Sequence, residues 1–364
     1  MTTVSVGAGL DAQFVATAET TYGVSPSLAS ARSYEMKNET LELKKTTITG
    51  EGLAAGHVYQ RAKRRVLTNY AVSGNVVMEL ATRQMAFWAQ FMLGSFGQSL
   101  ATPTQIGVSG IYKSVHQPGG FTGHSLVMQK GVPTADNATV EPFTYVGCKM
   151  TDWELKVSTG AIAELTLSFD GRNELGGTGN GDPLNGSVPT LASFATPTSG
   201  QGEQLFHFKQ ATLFQGGTPG LAAGLVSLAG ATAVGFVKDV SVKHSVKLDT
   251  TRYFLGNGGF KGEPIENGYR MITGSLTAEW ISSEAMYNAF AGDTTTSLQL
   301  TFVGPTVSTS NYLFDIIIPN VKFDGESPKV PGPAVVTQAV GFTGLDDEAT
   351  TPIQIVYQSE DSAI

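Results

Sequence analysis

The chain has 364 residues, 15% of them charged, and a net charge of −8 from 23 basic and 31 acidic side chains. That length covers one large or two ordinary domains and buries a sizeable core. The acidic balance excludes a cationic nucleic-acid binder, and 41% hydrophobic residues at zero mean hydropathy exclude wholesale disorder. Low charge with 43 glycines and many Thr, Ser and Val points to an all-β fold with many turns and little helix.

Residues 1–33 read as a small, polar N-terminal arm with a turn at Thr20–Pro26. No basic and apolar leader opens the chain, so no secretory signal is expected. Glu39–Ile48 alternates as a strand, and Thr49–Arg65 is a long loop, Gly-rich early and basic late (Arg61, Lys63, Arg64, Arg65). Val66–Leu80 is a long strand whose even positions are apolar or small and whose odd positions Ser73, Asn75 and Glu79 are polar. Met85–Gly94 is the best helix, with Met85, Trp88, Phe91 and Met92 on one stripe and Gly94 as its stop. Residues 97–123 read as loop, Ser125–Gln129 as a short strand, and Thr151–Val157 and Ala161–Phe169 as alternating strands. A Gly/Pro/Ser/Asn-rich segment over 171–202 shifts composition as at a domain boundary.

The order then recurs. Ala71–Leu80 aligns with Met271–Trp280, placing Gly74 on Gly274 and Glu79 on Glu279. The helix near 85–94 matches one near 283–292. Thr40–Lys44 matches Ser245–Asp249, Ser125–Met128 matches Ser297–Leu300, and Ala161–Gly171 matches Ala334–Gly344. Five matches in one order predict two tandem β-sandwich domains, at 34–175 and 235–364, joined by a linker with connecting strands over 176–234.

No motif for chemistry stands out. There is no P-loop, zinc-protease or nucleophile-elbow pattern, and Gly177–Gly181 and Gly256–Gly259 lie in loops rather than at a strand-to-helix turn. The histidines are scattered, and the single Cys148 has no catalytic neighbours and reads as a reduced, semi-buried thiol. Asp170, Asn173 and Asp182 lack calcium-loop spacing and read as solvated linker. No catalytic residue, metal or cofactor is expected. The cations of Arg61–Arg65 read either as a solvated loop or as a contact with another copy of the chain.

The strand Tyr70–Leu80 with Gly74 and Glu79, the helix Met85–Gly94, the loop Thr49–Arg65, the N-terminal Thr17–Val24 and the closing strand Pro352–Tyr357 together resemble the major tail tube proteins of long, non-contractile-tailed bacteriophages. The resemblance is diffuse but covers nearly the whole chain. It implies a structural virion protein, not an enzyme, assembled in the host cytoplasm. Subunits would join sheets into a closed β-barrel ring, and rings would stack into a tube through which DNA leaves the capsid. Partners implied are other copies of the chain and the tail terminator, tape measure and distal tail proteins, with no membrane. Two tandem copies would let three chains make a pseudo-hexameric ring, the alternative being six chains. On this reading Ser73, Asn75, Glu79, Thr273, Ser275 and Glu279 face the lumen. Ring-stacking contacts fall to Arg61, Lys63, Arg64 and Arg65, with Lys261 and Glu263 in the counterpart loop 255–267, and to the arm 1–33. A secreted adhesin or fibre and a β-rich carbohydrate-active enzyme are the rival classes. The first should carry an export signal, and the second clustered carboxylates with exposed aromatics.

Overall fold

The computed structural model describes residues 9–107, 110–134, 139–176, 182–193, 204–281, 286–307, 309–325, 327–330 and 332–364. The first part of the body is built from β1 (Gln13–Ala18), β2 (Glu42–Thr49), β3 (Arg65–Glu79), α1 (Met85–Leu93), β4 (Tyr112–His116), β5 (Leu126–Pro133), β6 (Val140–Ser158), β7 (Glu164–Gly171) and β8 (Asn173–Leu175). The second part is built from β9 (Ala211–Gln215), β10 (Val237–Ser245), β11 (Met271–Glu279), α2 (Tyr287–Ala291), β12 (Thr296–Val307), β13 (Ser310–Asp324), β14 (Thr337–Gly344) and β15 (Gln354–Ser359).

Eight strands run edge to edge in the order β2-β3-β7-β6-β10-β11-β14-β13, every neighbour antiparallel. The seam between the parts is the pairing of β6 with β10, where Trp153 faces His244 and Leu155 faces Val242. Behind the first half, β1 pairs β5, β5 pairs the start of β6, and β8 pairs β6. Behind the second, β9 pairs β12, β12 pairs β13, and β15 pairs β13.

The two halves repeat in register as well as in order. Gly74 lies opposite Phe169 and Val72 opposite Gly171; Gly274 lies opposite Phe342 and Ile272 opposite Gly344. Glu79 faces Glu164 where Glu279 faces Thr337. One alignment from the sequence needs correction. Glu42 faces Ser73 and Lys243 faces Thr273, so the counterpart of Thr40–Lys44 is Ser241–Ser245, four residues before the stretch matched by pattern. A shift of four keeps every side chain on its face, so alternation alone cannot detect it.

The long alternating strand behaves as its pattern predicts. Val72, Val76, Met78 and Leu80 are fully buried, while Ser73 and Asn75 are not. Phe169, Trp153 and Leu155 complete that face, and α1 lies across it, with Trp88 6.1 Å from Phe169 and the Trp153 indole donating to the Met92 carbonyl at 2.9 Å. The helix differs from the expected single stripe. Ala86, Phe87, Ala89 and Leu93 are buried too, so it is covered on nearly every side. Gly94 ends it in the left-handed conformation (φ 70°), as expected. Emptying the Trp88 site would cost about 3–5 kcal/mol. One contiguous hydrophobic cluster runs from Phe14 through α1 and the seam to Tyr357.

Other segments also differ from the sequence reading. The arm is tied into the body, because β1 pairs β5 along its whole length. The loop 97–123 contains β4, which pairs β15. The 176–234 linker holds β9 and a hairpin of Thr218–Ala222 with Leu225–Ala229. The second helix is Tyr287–Ala291; its expected start at 283–285 lies outside the described residues, as does Gly177–Gly181.

Candidate assembly surface

Adjacent residues on a strand point to opposite faces, so one face of the eight-stranded sheet packs the core and the other is turned outward. Ser73, Asn75, Glu79, Thr273, Ser275 and Glu279 all lie on the outward face. Asn75 and Ser275 are exposed, and Ser73, Glu79, Thr273 and Glu279 half-buried. Ser241 and Ser275 hydroxyls meet at 3.1 Å, and the Asn75 backbone N–H donates to Thr40 Oγ1 at 2.9 Å. At the seam this face is a shallow concavity lined by Glu154, Lys156, Asp239, Ser241, Ser275 and Thr277.

The face is not the plain carboxylate band that Glu79 and Glu279 suggested. Lys238 Nζ lies 2.7 Å from Glu279. Lys37 pairs with Glu164, the cross-strand neighbour of Glu79. Across the seam Lys243 faces Glu154, and its Nζ is 3.8 Å from Asp152. The surface is therefore a mixed lattice in which carboxylates outnumber lysines. Exposed pairs of this kind contribute about 0–1 kcal/mol each, so they set surface potential more than stability.

The basic loop end lies at the surface. Lys63, Arg64 and Arg65 are exposed and Arg61 half-buried. Arg64 reaches the Gly52 carbonyl and Arg65 the Thr47 hydroxyl, and among the described residues none of the four cations pairs with a carboxylate. The same loop exposes Leu53, Val58 and Tyr59 almost completely.

The counterpart loop behaves differently. Lys261, 1% exposed, is 2.6 and 2.8 Å from the Asp170 carboxylate. Glu263 pairs with Lys149 and accepts from the Gly123 amide at 2.6 Å. Tyr253 donates to the Tyr70 carbonyl, and Phe260 stacks on Tyr70 at 4.6 Å. Lys261 and Glu263 thus fasten the second half onto the first, which accounts for their charges within the chain. Their partners lie about a hundred residues away, which no local spacing reveals. Burial pushes the Lys149 ammonium down and the Asp170 carboxyl up from their ordinary values.

Sequence reasoning also missed a buried polar hub. The Glu19 carboxylate accepts from the Gly147 amide at 2.7 Å, the Gly23 amide at 2.8 Å and the Ser125 hydroxyl. Burial pushes its pKa up to about 7 against those hydrogen bonds. Beside it Arg172 pairs with Asp182 at 3.2 Å, and Asn173 donates to Asp182 at 3.0 Å. Asp182 is therefore a buried anchor, not solvated linker. Cys148 is wholly buried rather than half, and burial drives its thiol pKa up. His116 bonds Ser95 and Ser114, and His244 stacks on Trp153. Among the described residues no group of three His, Cys, Asp or Glu side chains could hold a metal ion, and no helix is long and apolar enough to cross a membrane.

The outward face has two open ends. Among the described residues β2 pairs only β3, residues 322–324 of β13 pair only β14, and residues 337–340 of β14 pair only β11. An open strand edge is a ready template for another chain. Compared with known families, residues 9–344 match the family model described as phage tail tube protein. No curated protein matches the chain.

Proposed function

The chain belongs to the phage tail tube protein family, and from that premise we propose that three copies close their eight-stranded sheets into one ring, which stacks into the tube that conducts DNA out of the virion. The observation that carries this reading is the sheet itself, continuous across two in-register halves, with β2 open at one edge and, among the described residues, 322–324 of β13 open at the other. Each half supplies a tube-domain equivalent, so three chains supply six.

Strand arithmetic favours three. Three chains of eight strands give 24, and strands about 4.8 Å apart tilted by about 40° then close a barrel roughly 48 Å across at the backbone. Side chains reduce that to a bore wider than a DNA duplex. Two chains would give 16 strands and roughly 32 Å, with no clearance; six would give 48 strands and roughly 96 Å.

The outward face of the sheet is the channel wall on this reading. Its Ser, Thr and Asn side chains are neutral, and carboxylates outnumber the lysines that dilute them. Such a wall does not grip a polyanion and lets phosphate slide. The basic loop end at Arg61–Arg65 is free to reach another copy in the tube. The long, non-contractile tail and the terminator, tape measure and distal partners follow from the same reading. Electron microscopy of the purified protein tests it: rings or tubes support it, and a monodisperse monomer under all assembly conditions contradicts it.

A further inference from the structure

The seam inside the chain has the form of a junction between two copies. There β10 lies beside β6, with Ser245 opposite Asp152 and its hydroxyl donating to that carboxylate at 2.5 Å. Register identifies the equivalents of both residues. Lys44 faces Ala71 as Ser245 faces Met271, so Lys44 stands where Ser245 does. Asp324 faces Gly341 as Asp152 faces Ser168, so Asp324 stands where Asp152 does. Lys44 and Asp324 are both exposed, and each sits next to an inward residue (Leu43 and Phe323) on the outward face of the sheet. Among the described residues Lys44 has the exposed Glu42 beside it, at 3.5 Å, and Asp324 accepts from Thr343.

A second relationship follows the same symmetry. The loop after β10 crosses the seam and places Lys261 on Asp170, at the end of β7. The loop after β2 carries Arg61–Arg65, which among the described residues have no carboxylate partner. The end of β14, which corresponds to the end of β7, runs directly into Asp346-Asp347-Glu348, all exposed. Backbone donors of Thr350 and Ala349 pull the Asp347 pKa down to about 2, so Asp347 is ionised throughout the physiological range.

Resting on the ring proposed above, we infer that strand β2 of one chain pairs with the end of β13 of a second copy in the register of β10 on β6, setting Lys44 opposite the second copy's Asp324 and the Arg61–Arg65 loop end over its Asp346–Glu348 turn. The occupant of each open edge is another copy of this chain. The internal seam shows that this backbone accepts such a neighbour, and the opposed charges select the register. The exposed Leu53, Val58 and Tyr59 of the loop then gain the kind of cover that Phe260 already has within the chain.

Cysteine pairing tests the register. Opposed residues of an antiparallel pair have Cα atoms about 4.5–5.5 Å apart, within reach of a disulfide. In the chain carrying both Lys44→Cys and Asp324→Cys, oxidation of assembled tubes should give dimer and trimer bands on a non-reducing gel, with the buried Cys148 silent. Charge reversal gives a second readout. Lys44→Asp and Asp324→Lys alone should each reduce tube yield by about tenfold or more, and the two together in one chain should restore it. Tubes that form without crosslinks, or single reversals that the double variant does not rescue, overturn this register and leave the tube reading intact. Unaltered protein that forms no ring or tube instead contradicts the tube reading itself.

Discussion

Gly74 and Gly274 meet the same obstacle in the two halves of the chain. A Cβ on Gly74 would lie 2.3 Å from the Thr40 carbonyl oxygen, and one on Gly274 would lie 2.3 Å from the Ser241 carbonyl oxygen. Thr40 and Ser241 occupy equivalent places on β2's lead-in and on β10. Each glycine lets the neighbouring strand cross β3 or β11 closely, and Gly274 also accommodates the Phe342 ring, 2.2 Å from such a Cβ.

Alanine at either glycine must therefore move backbone rather than a flexible side-chain end. Gly74→Ala and Gly274→Ala are each expected to destabilise the folded chain by about 1–3 kcal/mol. Urea unfolding of the unassembled subunit checks this, and an unchanged midpoint in either variant would break the equivalence.

Much of this was legible because strand alternation fixes faces. Val72–Leu80 and Ile272–Trp280 announced their buried sides and their shared Gly and Glu positions. Alternation has period two, however, so Val246-Lys247-Leu248 was as good a partner for Leu41-Glu42-Leu43 as Val242-Lys243-His244, and only hydrogen-bond register separates them. β1 and β9 carry their apolar residues as adjacent pairs, Phe14-Val15 and Leu213-Phe214, which breaks the alternation that marks the other strands. Glu19 and Lys261 owe their roles to partners 106 and 91 residues away in sequence.

The Glu19 hub predicts a pH dependence of subunit stability. Its carboxyl has an ordinary pKa of 4.5 and a folded value of about 7, so the folded state holds more protons between those values. Stability from this group is complete below pH 4.5, falls as pH rises, and is lost above pH 7, on the order of 3 kcal/mol in all. Asp315, raised to about 6, acts in the same direction. His116 and His244, held neutral by burial, pull the opposite way below pH 6.5. Comparing denaturation of the natural chain and Glu19→Gln at pH 5 and pH 8 isolates Glu19: the variant should lose less stability between the two.

Removing the free loop should separate folding from assembly. The loop buries little within its own chain, so deleting residues 50–64 is expected to leave circular dichroism and thermal unfolding of the subunit near normal. Tube formation should fall to background in sedimentation. Normal tubes from the deletion would remove the loop from the assembly contacts.

The channel assignment predicts a defect specific to DNA passage. With Glu79→Lys and Glu279→Lys, Lys238 loses its partner and the face gains positive charge near Lys37. Tubes should still form, since these side chains lie away from the core. Ejection should slow, and added salt should relieve the defect through screening, with a Debye length of about 8–10 Å at moderate ionic strength. Unchanged ejection in that double variant would place the face elsewhere than the channel.

The most direct test is an end-on view of the assembled tube by cryo-electron microscopy. Rings should contain three chains with pseudo-sixfold symmetry, in which the eight strands of each chain together form the wall, Glu79 and Glu279 face the bore, and α1 lies outside the sheet. Six chains per ring, or a bore lined by the core face of the sheet, would contradict this arrangement.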